Sequence, residues 1–268
     1  MNLSYTAWIA LFGLAGLGGV LWRNCRSLAD VADALAQVFL IGLVALVCGR
    51  IGYALLNLDF FAQKPGAILS TSYPGLAEQT ALLGACVAWR VFAAQPRRLA
   101  NKILEGKNFM RQPARLSEAS FILLAALVGI GASVGCMQAG CAYGREVFWQ
   151  DVGAGGIGWL LRADLPDAYS IPNPRWPTQA MMVVWLSLEA GLLSFGMARN
   201  AAFEKSGFLR VTLFCALFLA GDFFIQFLRA DPAGGVAFGL RGSQWLDGAA
   251  FGLVLFAHFV TMRLAHKR

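Results

Sequence analysis

At 268 residues, with 58% hydrophobic and 14% charged residues and a mean hydropathy of +0.60, the chain is too apolar for a water-soluble globule and reads as a polytopic membrane protein. Its net charge of +7 does not signal nucleic acid, because most cations lie in short stretches between apolar runs, where they report topology. The six cysteines (Cys25, Cys48, Cys86, Cys136, Cys141 and Cys215) fall mostly inside apolar runs, without CxxC spacing or accompanying histidines, so neither a metal site nor a secreted disulfide scaffold is expected, and no cofactor is implied.

The first apolar run, Ala7 to Leu21, has no cation ahead of it and is followed by Arg23 and Arg26. A cleavable signal peptide has the reverse order, so this run is expected to stay as a membrane helix. A crossing needs about 20 apolar residues. Segments near 5–22, 34–57, 75–95, 118–140, 178–198, 208–229 and 247–263 meet that need, which predicts one all-α membrane domain over 1–268 with seven spans. Fourteen cations fall on one side of these spans, in 23–26, 97–115, 199–210 and 263–268, and six on the other, namely Lys64, Arg145, Arg162, Arg175, Arg229 and Arg241. The positive-inside rule then puts the N-terminus outside and the C-terminus in the cytoplasm.

Two connections stand out. The basic cytoplasmic loop 97–117 reads as a topology anchor, with a grip on anionic lipid headgroups as the alternative. The outer loop 146–177 mixes glycines with Phe148, Trp149, Trp159, Leu160 and Leu161. It is expected to act either as a lid over a site or as a passive segment, with 158–162 lying in the interface plane.

Polar residues at membrane depth are costly and usually face a bundle interior or a wet cavity. Here Arg50 and Tyr53 lie toward the outer end of the second span, Tyr73, Glu78 and Gln79 open the third, and Ser133, Cys136, Gln138 and Cys141 precede Arg145 at the end of the fourth. In the sixth, Asp222, Gln226 and Arg229 recur at helical spacing and are expected to form one stripe, and Gln244 and Asp247 open the seventh. Oriented by charge, all converge on the outer half of the bilayer. His258 and His266 fall toward the other side, so no imidazole can serve there as a base or in a catalytic triad. Arginines offer paired donors to phosphate oxygens and keep their charge when dehydrated, so the convergence reads as a phospholipid headgroup site. Cys136 and Cys141 are five residues apart, about 140° around an unbroken helix, and would face each other only if the helix breaks near Gly140. Packing is the preferred reading, beside a disulfide or a reactive thiol.

The ordered motifs Gly49-Arg-Ile-Gly-Tyr53, Tyr73-Pro-Gly75, Gly135-Cys-x4-Cys-Ala-Tyr-Gly-Arg145, Arg175-Trp-Pro-Thr-Gln179, Gly221-Asp-Phe-Phe-Ile-Gln-Phe-Leu-Arg229 and Gly242-Ser-Gln-Trp245 resemble the bacterial prolipoprotein diacylglyceryl transferases along essentially the whole chain. The resemblance implies an inner-membrane enzyme that moves the diacylglyceryl group of phosphatidylglycerol to the lipobox cysteine of a lipoprotein precursor. Under it, the catalytic candidates are Arg145, Arg229, Tyr73 and Asp222. The substrate-binding candidates are Arg50, Tyr53, Cys136, Gln138, Cys141, Tyr143, Arg175, Gln179 and Gln226. The resembling enzymes carry histidine where this chain has Tyr73, arginine at Ser133, asparagine at Cys136, glutamate at Cys141, arginine at Asp222 and glutamate at Gln226. These departures motivate the alternative of a homologue that binds a lipid or secreted partner without transferring anything.

Overall fold

The computed structural model describes residues 4–70, 75–94, 116–148, 160–167, 169–196, 209–231 and 236–266. Among these residues the long helices are α1 (Tyr5–Asn24), α2 (Leu28–Leu56), α4 (Glu78–Ala94), α5 (Glu118–Ala139), α6 (Thr178–Gly191), α7 (Leu209–Ile225) and α8 (Gly242–His266), and the short α3 (Leu58–Gln63) follows α2. They lie where the apolar runs predict them. Among the described residues, five segments are long and apolar enough to cross a membrane: α1, α2, α5, α7 with its continuation to Leu228, and α8. The α6 segment, extended by a π-helical turn over Leu192–Gly196, is apolar but shorter, and α4 has 17 residues.

A helix of a soluble protein hides one apolar stripe, whereas α2 leaves Phe39, Leu43, Leu46, Val47, Ile51 and Leu55 exposed around its surface. Hydrocarbon solvates such a surface without penalty, and with five long apolar helices among the described residues the chain is a multi-pass membrane protein.

The helices divide between two compact units, residues 18–121 and residues 1–17 with 122–268. In the first, Ser27 caps α2. Its hydroxyl oxygen accepts from the Asp30 N–H at 3.3 Å, and the Asp30 carboxylate accepts from the Arg26 N–H at 3.0 Å, so the helix start is closed reciprocally. The α2 and α4 helices pack directly, with Gly84 meeting Cys48 so closely that an added Cβ would lie 2.7 Å from its sulfur. Beyond α2, a turn at Asn57, α3 and a 3-10 turn over Pro65–Leu69 fold back on a small cluster of Ala54, Phe61, Ala67, Tyr53 and Ile68.

In the other unit, the start of α1 lies against the end of α5, where a Cβ on Gly135 would come 3.0 Å from the Tyr5 carbonyl oxygen. The Trp8 indole N–H donates to Gln138 Oε1 at 2.9 Å across the same contact. The α7 helix packs on α6 and α8, and Leu186, Leu193, Phe214 and Leu219 are fully buried. Among the described residues, two short antiparallel hairpins interrupt the helical plan: β1 (Ala163–Pro166) with β2 (Pro172–Arg175), and β3 (Val236–Ala237) with β4 (Leu240–Arg241), which runs straight into α8. The first hairpin occupies the described part of the outer loop; the expected interfacial segment 158–162 lies partly outside the described residues, as does almost all of the basic loop 97–117.

Candidate functional site

The signature stretch leaves α5 through a glycine turn. Gly140 has φ 66°, and the Cys141 N–H donates to the Cys136 carbonyl at 3.2 Å, the long-range bond of a Schellman cap. The helix therefore breaks at Gly140, and the break brings the two sulfurs together as a disulfide, where packing had been the preferred reading. Ala142 also takes a left-handed conformation, φ 53°. Side chains at the start of α6 hold this turn, with Thr178 Oγ1 donating to the Ala142 carbonyl at 2.7 Å and Gln179 Nε2 to the Cys141 carbonyl at 2.8 Å.

Past the turn the chain becomes the middle strand of a small backbone ladder. On one side the Arg145 N–H donates to the Leu228 carbonyl at 2.8 Å and the Ala230 N–H to the Tyr143 carbonyl at 2.9 Å. On the other, the Trp176 N–H donates to the Arg145 carbonyl at 3.0 Å and the Val147 N–H to the Pro174 carbonyl at 2.8 Å. Three motifs far apart in sequence are thus fastened to one another, with Gly144 opposite Arg229 and Glu146 opposite Arg175. Gly144 is required by space, since a Cβ there would fall 2.1 Å from the Trp176 carbonyl oxygen.

This ladder gathers arginines from four places in the sequence, and they are used differently. Arg175 is buried: NH2 bonds Glu146 Oε1 at 2.8 Å and Asp167 Oδ2 at 3.2 Å, and its guanidinium lies 5.1 Å from the Tyr143 ring centroid. The Asp167 carboxyl is held below the usual carboxylate range, first by the Ile171 N–H and further by the Tyr169 N–H and Arg175. Arg229 donates from Nε and NH2 to the two oxygens of Asp231, at 2.9 and 2.8 Å. Arg241 reaches Asp231 at 3.3 Å and the Arg229 carbonyl at 2.7 Å. Burial alone would raise the Asp231 pKa, but hydrogen bonds and charge from the two arginines outweigh it and leave the carboxyl below its ordinary value. Arg145 alone of the four is exposed. Its guanidinium donates to the Phe227 carbonyl, and no carboxylate among the described residues pairs with it.

Behind the arginines lies a buried polar knot. Gln226 Nε2 donates to Asp222 Oδ2 at 2.7 Å and to Asp247 Oδ2 at 2.6 Å, while Ser243 Oγ donates to Gln226 Oε1. Gln244 Nε2 reaches the Phe223 carbonyl at 3.2 Å and its Oε1 accepts from the Arg241 N–H at 2.9 Å. The predicted stripe therefore holds for Asp222 and Gln226 but not for Arg229. The helix tightens into a 3-10 turn over Gln226–Leu228, and Arg229 emerges extended, φ −81° and ψ 149°, with its backbone on the ladder.

In the unit 18–121, Arg50 spends its donors on main-chain carbonyls: Nε on Ile68 at 2.7 Å, NH1 on Gly75 at 3.0 Å, and NH2 on Ala67 and Ser70 at 2.9 and 3.2 Å. The rings of Tyr53 and Phe61 flank it at 5.6 and 5.5 Å, and Tyr53 lies where a Cβ on Gly75 would be. Tyr73 lies outside the described residues. Ser133 bonds back to the Gly129 carbonyl at 3.0 Å within α5. Sequence reasoning missed Glu146, Asp167, Asp231 and Ser243 as partners of the predicted residues. The local signals for them were a carboxylate two positions after Arg229 and, for Ser243, its place in the Gly242-Ser-Gln-Trp245 motif.

A multi-pass helical membrane protein with an arginine-rich ladder at one helix end is the class these features define. The family described as prolipoprotein diacylglyceryl transferase matches residues 4–261, and the chain belongs to that family. It is 27% identical over 282 residues to the phosphatidylglycerol--prolipoprotein diacylglyceryl transferase of Azotobacter vinelandii (strain DJ / ATCC BAA-1303), covering 97% of this chain and 92% of that one. It is also 32% identical over 125 residues to phosphatidylglycerol--prolipoprotein diacylglyceryl transferase 2 of Clostridium perfringens (strain 13 / Type A), covering 46% of this chain and 43% of the relative.

Proposed function

We propose that the protein is a transferase of the bacterial inner membrane that takes the diacylglyceryl group from phosphatidylglycerol and passes it to the cysteine thiol of a lipoprotein precursor at the outer leaflet. The observation that carries this reading is Arg145, an exposed guanidinium on a strand fixed from both sides, with no carboxylate among the described residues to satisfy its charge. In the transfer the thiolate sulfur bonds to the glyceryl carbon as the carbon–oxygen bond to phosphate breaks. Negative charge then collects on the departing glycerol phosphate, where a pre-positioned arginine stabilises it most. Arg145 supplies that charge, and Arg229, oriented by Asp231, extends it. The thiol proton goes to a base, for which the Asp222 carboxylate and Tyr73 as its phenolate are the candidates. Arg50 and Arg175 hold the scaffold, the first enclosed by main-chain carbonyls and the second buried between Glu146 and Asp167. The seven spans run with the N-terminus outside and the C-terminus in the cytoplasm, which puts the disulfide in an oxidising compartment.

A second reading, binding of phospholipid without transfer, draws on the engagement of Arg229 by Asp231. One experiment separates the two. Purified protein is incubated with labelled phosphatidylglycerol and a lipobox peptide, beside Arg145→Ala. Labelled peptide from the wild type and not from the variant is the expected result. Lipid bound without any labelled peptide favours the second reading, and product that survives Arg145→Ala overturns the assignment of Arg145.

A further inference from the structure

The turn that delivers Arg145 to the ladder contains a covalent bond that the transfer itself does not use. In a Schellman cap the side chains three positions before the cap and two after it meet across the turn, and an apolar contact commonly fills that place. Here those positions are Cys136 and Cys141, with Cα atoms 4.7 Å apart, and a disulfide fills it. Arg145 lies only four residues beyond the bond. Between them the chain passes through Ala142 at φ 53°, a conformation that a residue with a Cβ adopts only when its surroundings impose it. What imposes it is the disulfide on one side and the Thr178 and Gln179 side chains on the other. Helix ends are where chains fray at least cost, and a cross-link restricts the frayed conformations.

We propose that the Cys136–Cys141 disulfide is a positioning element for Arg145, and that its reduction reversibly weakens the site. Closed, it fixes the start of the 143–147 strand and so the register in which the guanidinium meets the Phe227 carbonyl. A dithiol reductant opens it: two electrons and two protons pass to Cys136 and Cys141, and the reagent leaves as its own disulfide. The cap then rests on one backbone bond and two side-chain contacts. The effect on catalysis rests on the transferase reading above; the effect on the ladder does not.

The test uses the full chain in nanodiscs containing phosphatidylglycerol. Hydrogen–deuterium exchange of peptides spanning 141–147 is followed by mass spectrometry in oxidised protein, in protein reduced with dithiothreitol, and after reoxidation, and transfer to a lipobox peptide is measured in the same samples once the reagent is removed. Reduction should speed exchange of the Arg145 and Val147 amides by roughly tenfold or more. Transfer should fall through kcat rather than through KM for the peptide, and reoxidation should restore both. Cys136→Ser with Cys141→Ser should behave as the reduced protein and ignore dithiothreitol; should that variant fail to fold, the wild-type redox cycle still decides. Recovery of both cysteines as free thiols from membranes lysed into an alkylating agent overturns the proposal, and so does exchange that complete reduction leaves unchanged. Faster exchange in a protein that never transfers would sink the transferase reading and leave the positioning role standing.

Discussion

Arg50 and Arg145 each lie near the end of an apolar run in a glycine-containing motif, and sequence alone treats them as equivalent candidates for phosphate. Their surroundings differ completely. Arg50 is turned into its own unit, where four main-chain carbonyls and two aromatic rings enclose it, and it ties the segment after α2 to that helix. Arg145 is turned outward from a strand whose backbone is already satisfied on both sides. What separates these two arginines is whether protein groups enclose the guanidinium or leave it exposed with no carboxylate among the described residues beside it.

Four substitutions or conditions can break or sharpen that contrast. The largest effect is expected at Arg145→Ala, which should lower transfer roughly 100-fold or more, the scale seen when one donor to a developing charge is removed, with little change in thermal stability. Retained activity with lost stability would reverse the contrast. Arg50→Ala should do the opposite. Stripping the donors from four carbonyls should destabilise the protein by about 3 kcal/mol, seen as a lower Tm in detergent, while the surviving folded fraction keeps its KM for phosphatidylglycerol. Arg175→Met, which leaves Glu146 and Asp167 facing each other without a cation, should cost about 2 kcal/mol and lower the Tm less than Arg50→Ala does.

The smallest effect concerns pH. Because Asp231 titrates below the ordinary carboxylate value of about 3.9, its contribution is complete above that value and is lost as pH falls through the lower, folded-state value. Wild type should therefore lose more stability than Asp231→Asn does as pH falls below about 3.9 toward the folded-state value. An identical pH dependence in the two proteins would remove Asp231 from the account of how Arg229 is held.

The helical plan was legible because the bilayer imposes long apolar runs, and each run is found as a helix near its expected place. The arginine cluster was partly legible for the same reason, since alternating topology returns Arg145, Arg175, Arg229 and Arg241 to one end of their unit. Its internal division was hidden. Nothing local to Arg175 announces that Glu146 and Asp167 will close around it, because those contacts depend on a hairpin and a backbone ladder formed by distant segments. The Cys136–Cys141 bond was hidden in another way: helical geometry argues against it, and one glycine at a left-handed φ reverses the argument.

The ladder around Tyr143–Val147 also limits how the chain can change length. Strand side chains alternate between faces, so adding or deleting one residue between Cys141 and Arg145 would swing the guanidinium to the opposite face and put a side chain where Trp176 now leaves room only for Gly144. The number of residues from Cys141 to Arg145 is therefore as much a part of this site as the residues themselves.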